Sequence, residues 1–363
     1  MTKNKVCIES SKKVLLLGGT GAIGSYLIEE CIRLGYTVFV TTRSLRVEDE
    51  KIKFIRGNAK DISFLNEISK KGKFDVVIDF MVYATHEFKV NIDLLLSLGT
   101  QYIYVSSYRV FSDTGHEPIT ETSPRLIDTV DDSKYLSTDE YALAKARQED
   151  ILTRDYRNRN WTIVRPSITY STNRFQFGAL EANTILPRAR DKLAVPIPES
   201  MLDKKTTMTW AGDVAKMIAS VLGNQKAYNE AFNTLTDEYK TWKEIADIYA
   251  SKLEMIVEPV DDETYQKIGL NPWQIKYDRM LNRICSNDKI ISFSGLNKSD
   301  FMSLESGLQL EINNNSNMSI NYSSVNRING ILDKILCIYR FPRTKSLRYL
   351  LSYCLGRFLV IKD

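Results

Sequence analysis

The chain of 363 residues predicts an α/β fold, a doubly wound parallel sheet with a smaller C-terminal lobe. Three observations carry that prediction. In the stretch KKVLLLGGTGAIGSYLIEE, from Lys12 to Glu30, a short apolar run passes through spaced glycines into an amphipathic segment. Further short apolar runs then alternate with helix-periodic segments as far as WTIVRP at 161–166. The runs are continuous rather than alternating, as strands covered on both faces require.

Val14, Leu15, Leu16 and Leu17 form the first strand. Ile23, Tyr26, Leu27 and Ile28 then recur at helical spacing. A second strand is predicted at 36–41 after the Leu34-Gly35 stop, and a third at 53–55, leading into RGNAKD. A polar helix at 62–71 precedes the buried strand FDVVIDFMVY, and a helix around 90–98 ends at Gly99 before the strand YIYVSS. A helix at 141–154 and the strand WTIVRP follow. Right-handed crossovers put these helices on both faces of the sheet, a Rossmann-type arrangement. The stretch 175–209, with Pro187, Pro196 and Pro198, reads as irregular and belongs to a lobe closing over the sheet's carboxyl edge. Helices resume at 214–222, with Asp213 as N-cap, and at 242–253.

Residues 1–170 are thus expected to be mainly a dinucleotide-binding domain and 171–310 mainly a substrate lobe, with some elements returning to the first domain. EINNNSNMSINYSSVNRING, at 311–330, reads as a polar linker. Residues 331–363 are apolar and basic together: Lys334, Arg340, Arg343, Lys345, Arg348, Arg357 and Lys362 face only Asp333 and Asp363. This extension is expected to be helical. It either packs on the body or a second copy, or lies on an anionic membrane or a partner.

Composition excludes several function classes. The net charge of +4 gives no mandate for nucleic-acid binding, and none is expected. Five scattered cysteines suit reduced thiols rather than a disulfide framework. With two histidines, His86 and His116, and no metal-ligand spacing, no metal site is expected. The N-terminal MTKNKVCIESSKK has no long apolar core, so a cytoplasmic protein without a signal peptide is expected.

Gly18, Gly21 and Gly24 stand where strand hands over to helix. Unpaired N–H groups at a helix start attract phosphate, and glycines let it approach the backbone. The second strand ends in TTRS, where a carboxylate would hold a free ribose 2′-hydroxyl and an arginine would accept a 2′-phosphate. Arg43 stands there and no Asp or Glu does, which favours NADP over NAD. YALAK places Tyr141 and Lys145 one helical turn apart, and an ammonium beside a phenol is expected to lower the phenol's pKa.

Taken in order, GGTGAIG (Gly18 to Gly24), YVSSYRVF, YALAK, VRPSITY, TWAGDVAKMI, FNTLTDEYKTWKEIADI and FMSLESGLQL resemble the extended short-chain dehydrogenase/reductase superfamily, in its NAD(P)-dependent epimerase/dehydratase branch on nucleotide sugars. The resemblance covers roughly residues 12–310. It implies Ser107 as the group bonding the reacting oxygen, Tyr141 as general acid/base, and Lys145 on the nicotinamide ribose. It places the cofactor against Gly18, Thr20, Gly21, Ala22, Ile23 and Gly24, with Asp61 at the adenine and Phe80 and Ala84 along the cofactor. Arg165, Pro166 and Ser167 would flank nicotinamide and sugar, with Tyr108 and Arg109 beside the substrate and Asn183 and Arg188 on the nucleotide diphosphate.

Sugar 4,6-dehydratases of this branch carry an Asp-Glu pair directly after the catalytic Ser/Thr; Tyr108 and Arg109 stand there, which argues against dehydration. The insertion 112–140 is expected as a loop beside the pocket. The resemblance therefore implies a C4 ketoreductase using NADPH, with a cofactor-retaining C4 epimerase as the alternative and a homodimer as the expected assembly. Some relatives are RNA-binding or regulatory proteins, and these often lose the Tyr or the Lys that this chain keeps.

Overall fold

A computed structural model describes residues 12–172, 174–318 and 322–359. The first strand, β1 (Lys13–Leu17), has Val14 through Leu17 fully buried, and its side chains alternate between two cores. Val14 and Leu16 meet Leu27, Val38 and Ile103 on one face, while Leu15 and Leu17 meet Leu65, Val77 and Phe88 on the other. This double burial is what the uninterrupted apolar run requires.

The sheet continues with β2 (Thr37–Thr42), β3 (Ile52–Arg56), β4 (Phe74–Asp79), β5 (Gly99–Val105), β6 (Trp161–Arg165) and β7 (Glu230–Asn233). All pairings are parallel, and the spatial order is β7-β6-β5-β4-β1-β2-β3. The order reverses between β1 and β4, the position where doubly wound sheets open a crevice at their carboxyl edge. Helices α1 (Ala22–Arg33), α2 (Ile62–Ser69), α3 (Thr85–Ser97) and α4 (Tyr141–Asp150) connect the strands, and α4 runs on through a wider turn at Ile151–Asp155.

Beyond β6 the lobe is more ordered than its prolines suggest. Residues 182–190 form helix α5 (Ala182–Arg190) with Pro187 inside it, and Val195–Pro198 pairs in parallel with Val257–Val260. Proline removes one donor and strains the turn before it, which burial of Ile185, Pro187 and Ala189 in the lobe core offsets. Helix α6 (Ala211–Ser220) begins three residues before the predicted start. Asp213 is therefore not its cap; its carboxylate accepts from Met302 N at 2.6 Å and pairs with Lys216. Helix α7 (Trp242–Leu253) carries a Thr241/Glu244 capping box.

The polar stretch expected as a linker is largely helical: α8 (Leu304–Met318) runs through it. Composition misleads here because one acid anchors the segment. Glu311 is fully buried and accepts from Tyr26 Oη of α1, Thr172 Oγ1 and Trp210 Nε1. Two more helices, α9 (Arg327–Ile335) and α10 (Leu347–Phe358), complete the described chain. Among the described residues no helix is long and apolar enough to cross a membrane.

Candidate active site

The glycine loop joins β1 to α1 at the crevice. Gly18 has φ +72°, a conformation that side chains oppose, and its N–H donates to Thr41 Oγ1 at 2.8 Å. At Gly24 a Cβ would lie 2.2 Å from the Gly19 carbonyl oxygen, so α1 packs directly on the loop. A Cβ at Gly21 would meet nothing within 4 Å, and Gly21 caps α1 without any side-chain hydrogen bond. The first turn of α1, beginning with Ala22, has no acidic residue. Its N–H groups thus face open space beside a positive helix end, a cradle that fits a pyrophosphate. Thr20 is exposed beside it, Ile23 reaches the cavity wall, and Arg43 is exposed just past β2.

A cavity of about 320 Å³ opens between this loop and the lobe. Ser107, Tyr141 and Lys145 line it together, with Phe80, Tyr108, Arg109 and Ser167. Ser107 follows β5, and its hydroxyl accepts from Arg109 N at 3.2 Å and favours the Tyr141 phenolate. Tyr141 is the first residue of α4, whose N-cap Glu140 accepts from Ala142 N at 2.8 Å. Lys145, one turn on, donates to Val105 O at 2.8 Å and lies 5.9 Å from the Tyr141 ring centroid. Burial pushes the Lys145 ammonium down to about 8, against the pull of Asp79 and Glu149. Buried Ser106 contributes a hydroxyl with no partner among the described residues, a free group on the cavity wall.

The phenol does not behave as the Tyr–Lys spacing alone suggests. Desolvation raises the Tyr141 pKa above its ordinary value, and Arg109, ahead of Arg174 and the Ser107 hydroxyl, opposes the rise. The Arg109 guanidinium lies 5.0 Å from the Tyr141 ring centroid, held by Glu140 at 2.7 Å and Asp278 at 3.1 Å. Asp278 is buried among Arg109, Arg279 and Arg283. Burial alone would raise its pKa; Arg279, then Arg109 and Arg283, hold it below the usual carboxylate value.

Several residues expected at the site do other work. Arg165 turns away from the cavity, forming a two-pronged pair with Glu149 at 2.8 Å and donating to Glu121 O. Its neighbours Pro166 and Ser167 do line the cavity. Arg188 is fully buried and pairs with Asp333 at 2.9 Å, so it secures the C-terminal helices rather than a diphosphate. Asn183 lies instead on a second cavity of about 310 Å³, next to Glu181, which borders both. Asp61 caps α2 through Ser63 N at 2.9 Å, and Ala84 stands at the start of α3, its N–H donating to Glu87 Oε2 at 2.8 Å. The insertion 112–140 contains the short helices Leu126–Thr129 and Ser133–Leu136 and ends in the cap of α4.

Arg174, Gln176, Gln274 and Arg279 also line the cavity; no motif spacing marks them, so they are not legible in the sequence. Arg279 donates to Gly178 O at 2.7 Å and Gln176 Oε1 at 3.3 Å. The lining carries Arg109, Arg174, Arg279 and Lys145 beside Glu181; Arg109 and Arg279 are paired with Asp278, while Arg174 has no ion pair among the described residues and is the arginine left to meet an anionic ligand.

Fold and crevice together define a dinucleotide-binding α/β protein. The profile of the NAD dependent epimerase/dehydratase family matches residues 14–234, and the chain belongs to that family. It is 28% identical over 260 residues to the chloroplast stem-loop binding protein of 41 kDa b from Arabidopsis thaliana, covering 66% of this chain and 63% of that relative. Among solved structures it resembles UDP-glucose 4-epimerase from Thermus thermophilus in complex with NAD, with a TM-score of 0.62 and 18% identity over 85% of this chain and all of the other. It also resembles dTDP-glucose 4,6-dehydratase from Bacillus anthracis, with a TM-score of 0.64 and 18% identity over 84% of this chain and 96% of the other. At these identities the two structures establish a shared fold.

Proposed function

We propose that the protein is an NAD(P)-dependent enzyme acting at a ring carbon of a nucleotide-linked sugar, with C4 ketoreduction as its reaction. The observation that carries this reading is the convergence of Ser107, Tyr141 and Lys145 on one cavity walled by Arg109, Arg174 and Arg279. Gly18 through Gly24 would hold the dinucleotide's phosphates, and Lys145 its nicotinamide ribose. A bound nicotinamide supplies the hydride that this chemistry needs.

The chain's own groups account for the rest. Ser107 would orient the carbonyl oxygen by a hydrogen bond. Tyr141, whose pKa is raised, holds its proton at neutral pH and would pass it to that oxygen as the alcohol forms. Arg174 would attract the diphosphate and orient it. Arg43 supports NADP over NAD, because no carboxylate occupies 41–44 to hold a free 2′-hydroxyl. Dehydration lacks support, since Tyr108 bonds Thr206 and Arg109 is paired, and neither supplies a carboxyl group. Homodimerisation through two helices from each copy, one of them α4, belongs to the same proposal. A cofactor-retaining C4 epimerase would use the same residues.

A second reading comes from the Arabidopsis relative named for stem-loop binding: a Rossmann-fold protein that binds RNA without turnover. One experiment separates the readings. The purified protein is denatured and any released nucleotide is identified by mass spectrometry, then the empty protein is titrated with NADPH and NADH. The expected outcome is empty protein that prefers NADPH and oxidises it with a nucleotide 4-keto-sugar. Stoichiometric retained cofactor would favour the epimerase. Binding of neither cofactor would overturn the enzymatic reading.

A further inference from the structure

Helices α9 and α10 pack as a tight pair. A Cβ at Gly330 would lie 2.2 Å from Tyr353 O, and one at Gly356 2.0 Å from Arg327 O, so the backbones nearly touch. Buried Asp333 bolts the pair to the lobe, accepting from Arg188 at 2.9 Å, Arg340 at 2.5 Å and Tyr353 Oη at 2.8 Å. One face of α10 is thereby used up.

The other face is apolar and bare. Leu347, Leu351, Leu355 and Phe358 fall on one stripe of α10 and are all exposed, and Tyr339 and Phe341 in the preceding loop are each 88% exposed. Eight of the seventeen exposed large hydrophobic side chains among the described residues fall within 339–359. Isolated exposed apolar residues need no explanation, but such a concentration does. Around the stripe, Arg343, Lys345 and Arg348 are exposed with no ion pair among the described residues, and no acidic residue occurs between 334 and 359.

We propose that this surface docks the protein on an anionic phospholipid membrane. An apolar stripe with a basic rim matches the two layers of such a bilayer, acyl chains below and phosphates above, and exposed aromatics favour that boundary. A second copy of the same surface fits less well, because two-fold pairing would bring the unpaired cations toward their own copies. The inference is independent of the reaction in the cavity.

The test is sedimentation of the full chain with vesicles of phosphatidylcholine, alone or mixed with phosphatidylglycerol. Binding is expected with the anionic vesicles only, and it should collapse at about 0.5 M salt. Reversing three charges (Arg343→Glu, Lys345→Glu, Arg348→Glu) should lower the partition coefficient on the order of 100-fold. Leu351→Ser with Leu355→Ser should weaken it as well. All these side chains point outward, so thermal unfolding and cofactor binding should match the parent. Equal binding to neutral vesicles, or no binding to either, overturns the proposal. Self-association in ultracentrifugation that the serine variant abolishes, without vesicle binding by the parent, would make the occupant a second copy and overturn it too.

Discussion

The two walls of the crevice recognise by different means. On the β1–α1 side the chain presents backbone: a glycine loop, a helix start with no side-chain cap and open space at Gly21. Across the cavity it presents side-chain charge, with Arg109 from just after β5 and Arg174 and Arg279 from the lobe. A backbone cradle depends on what is absent, so adding an atom breaks it. A charged wall depends on what is held in place, so removing one group breaks it. Tyr141 sits where the walls meet and answers to both: burial raises its pKa, and Arg109 opposes the rise.

The largest expected effect falls at that meeting point. Tyr141→Phe should cut turnover by about 10²–10⁴-fold, the range for a positioned general acid, while cofactor titration changes little. Steady-state kinetics would show it, and a fully active variant would remove Tyr141 from the reaction.

Gly24→Ala breaks the backbone wall alone. Its Cβ would collide with Gly19 O, so the loop must shift; a loss of about 1–3 kcal/mol in stability is expected, with weaker dinucleotide binding. Denaturant unfolding and cofactor titration would check it. Unchanged binding would mean that the cradle is not where the phosphates sit.

The smallest effect sharpens the charged wall. Arg109→Met removes the strongest influence opposing the raised Tyr141 pKa, so the phenolate should form at higher pH than in the parent. The sign follows from losing a neighbouring cation, which had favoured the anion. Any oxidative activity needs the phenolate, so its alkaline rise should move up in pH, while the reductive direction near neutrality keeps its protonated acid. A phenolate absorbance titration reads this directly, and a downward or absent shift would break the link between Arg109 and Tyr141.

The two walls also differ in how far the sequence reveals them. The glycine loop, the apolar strands and the Tyr141/Lys145 spacing are local patterns, and their periodicities persist in the structure. The charged wall is assembled by folding. Arg174 and Arg279 stand in no motif, and nothing local distinguishes Arg188, which meets Asp333 in the interior, from Arg279, which faces the cavity. The same reason explains the expected linker at 311–330. Its composition is polar, but the partners that bury Glu311 lie in α1, beyond β6 and just before α6. The expected lowering of Tyr141 by Lys145 also failed for lack of context, since burial depth is not written in a five-residue motif.

Glu311 has a consequence for how the molecule is made. Its bond to Tyr26 joins residues 285 apart in the chain, so the helix carrying the cradle receives that partner only after α8 has been synthesised. Contacts that close such long loops form late and slow folding. A nascent chain of about the first 234 residues would span the family-matched segment, yet leave Tyr26 and Trp210 without the carboxylate that binds them. The parallel-sheet half should therefore mature after its own synthesis is complete, on a schedule set by the C-terminal third.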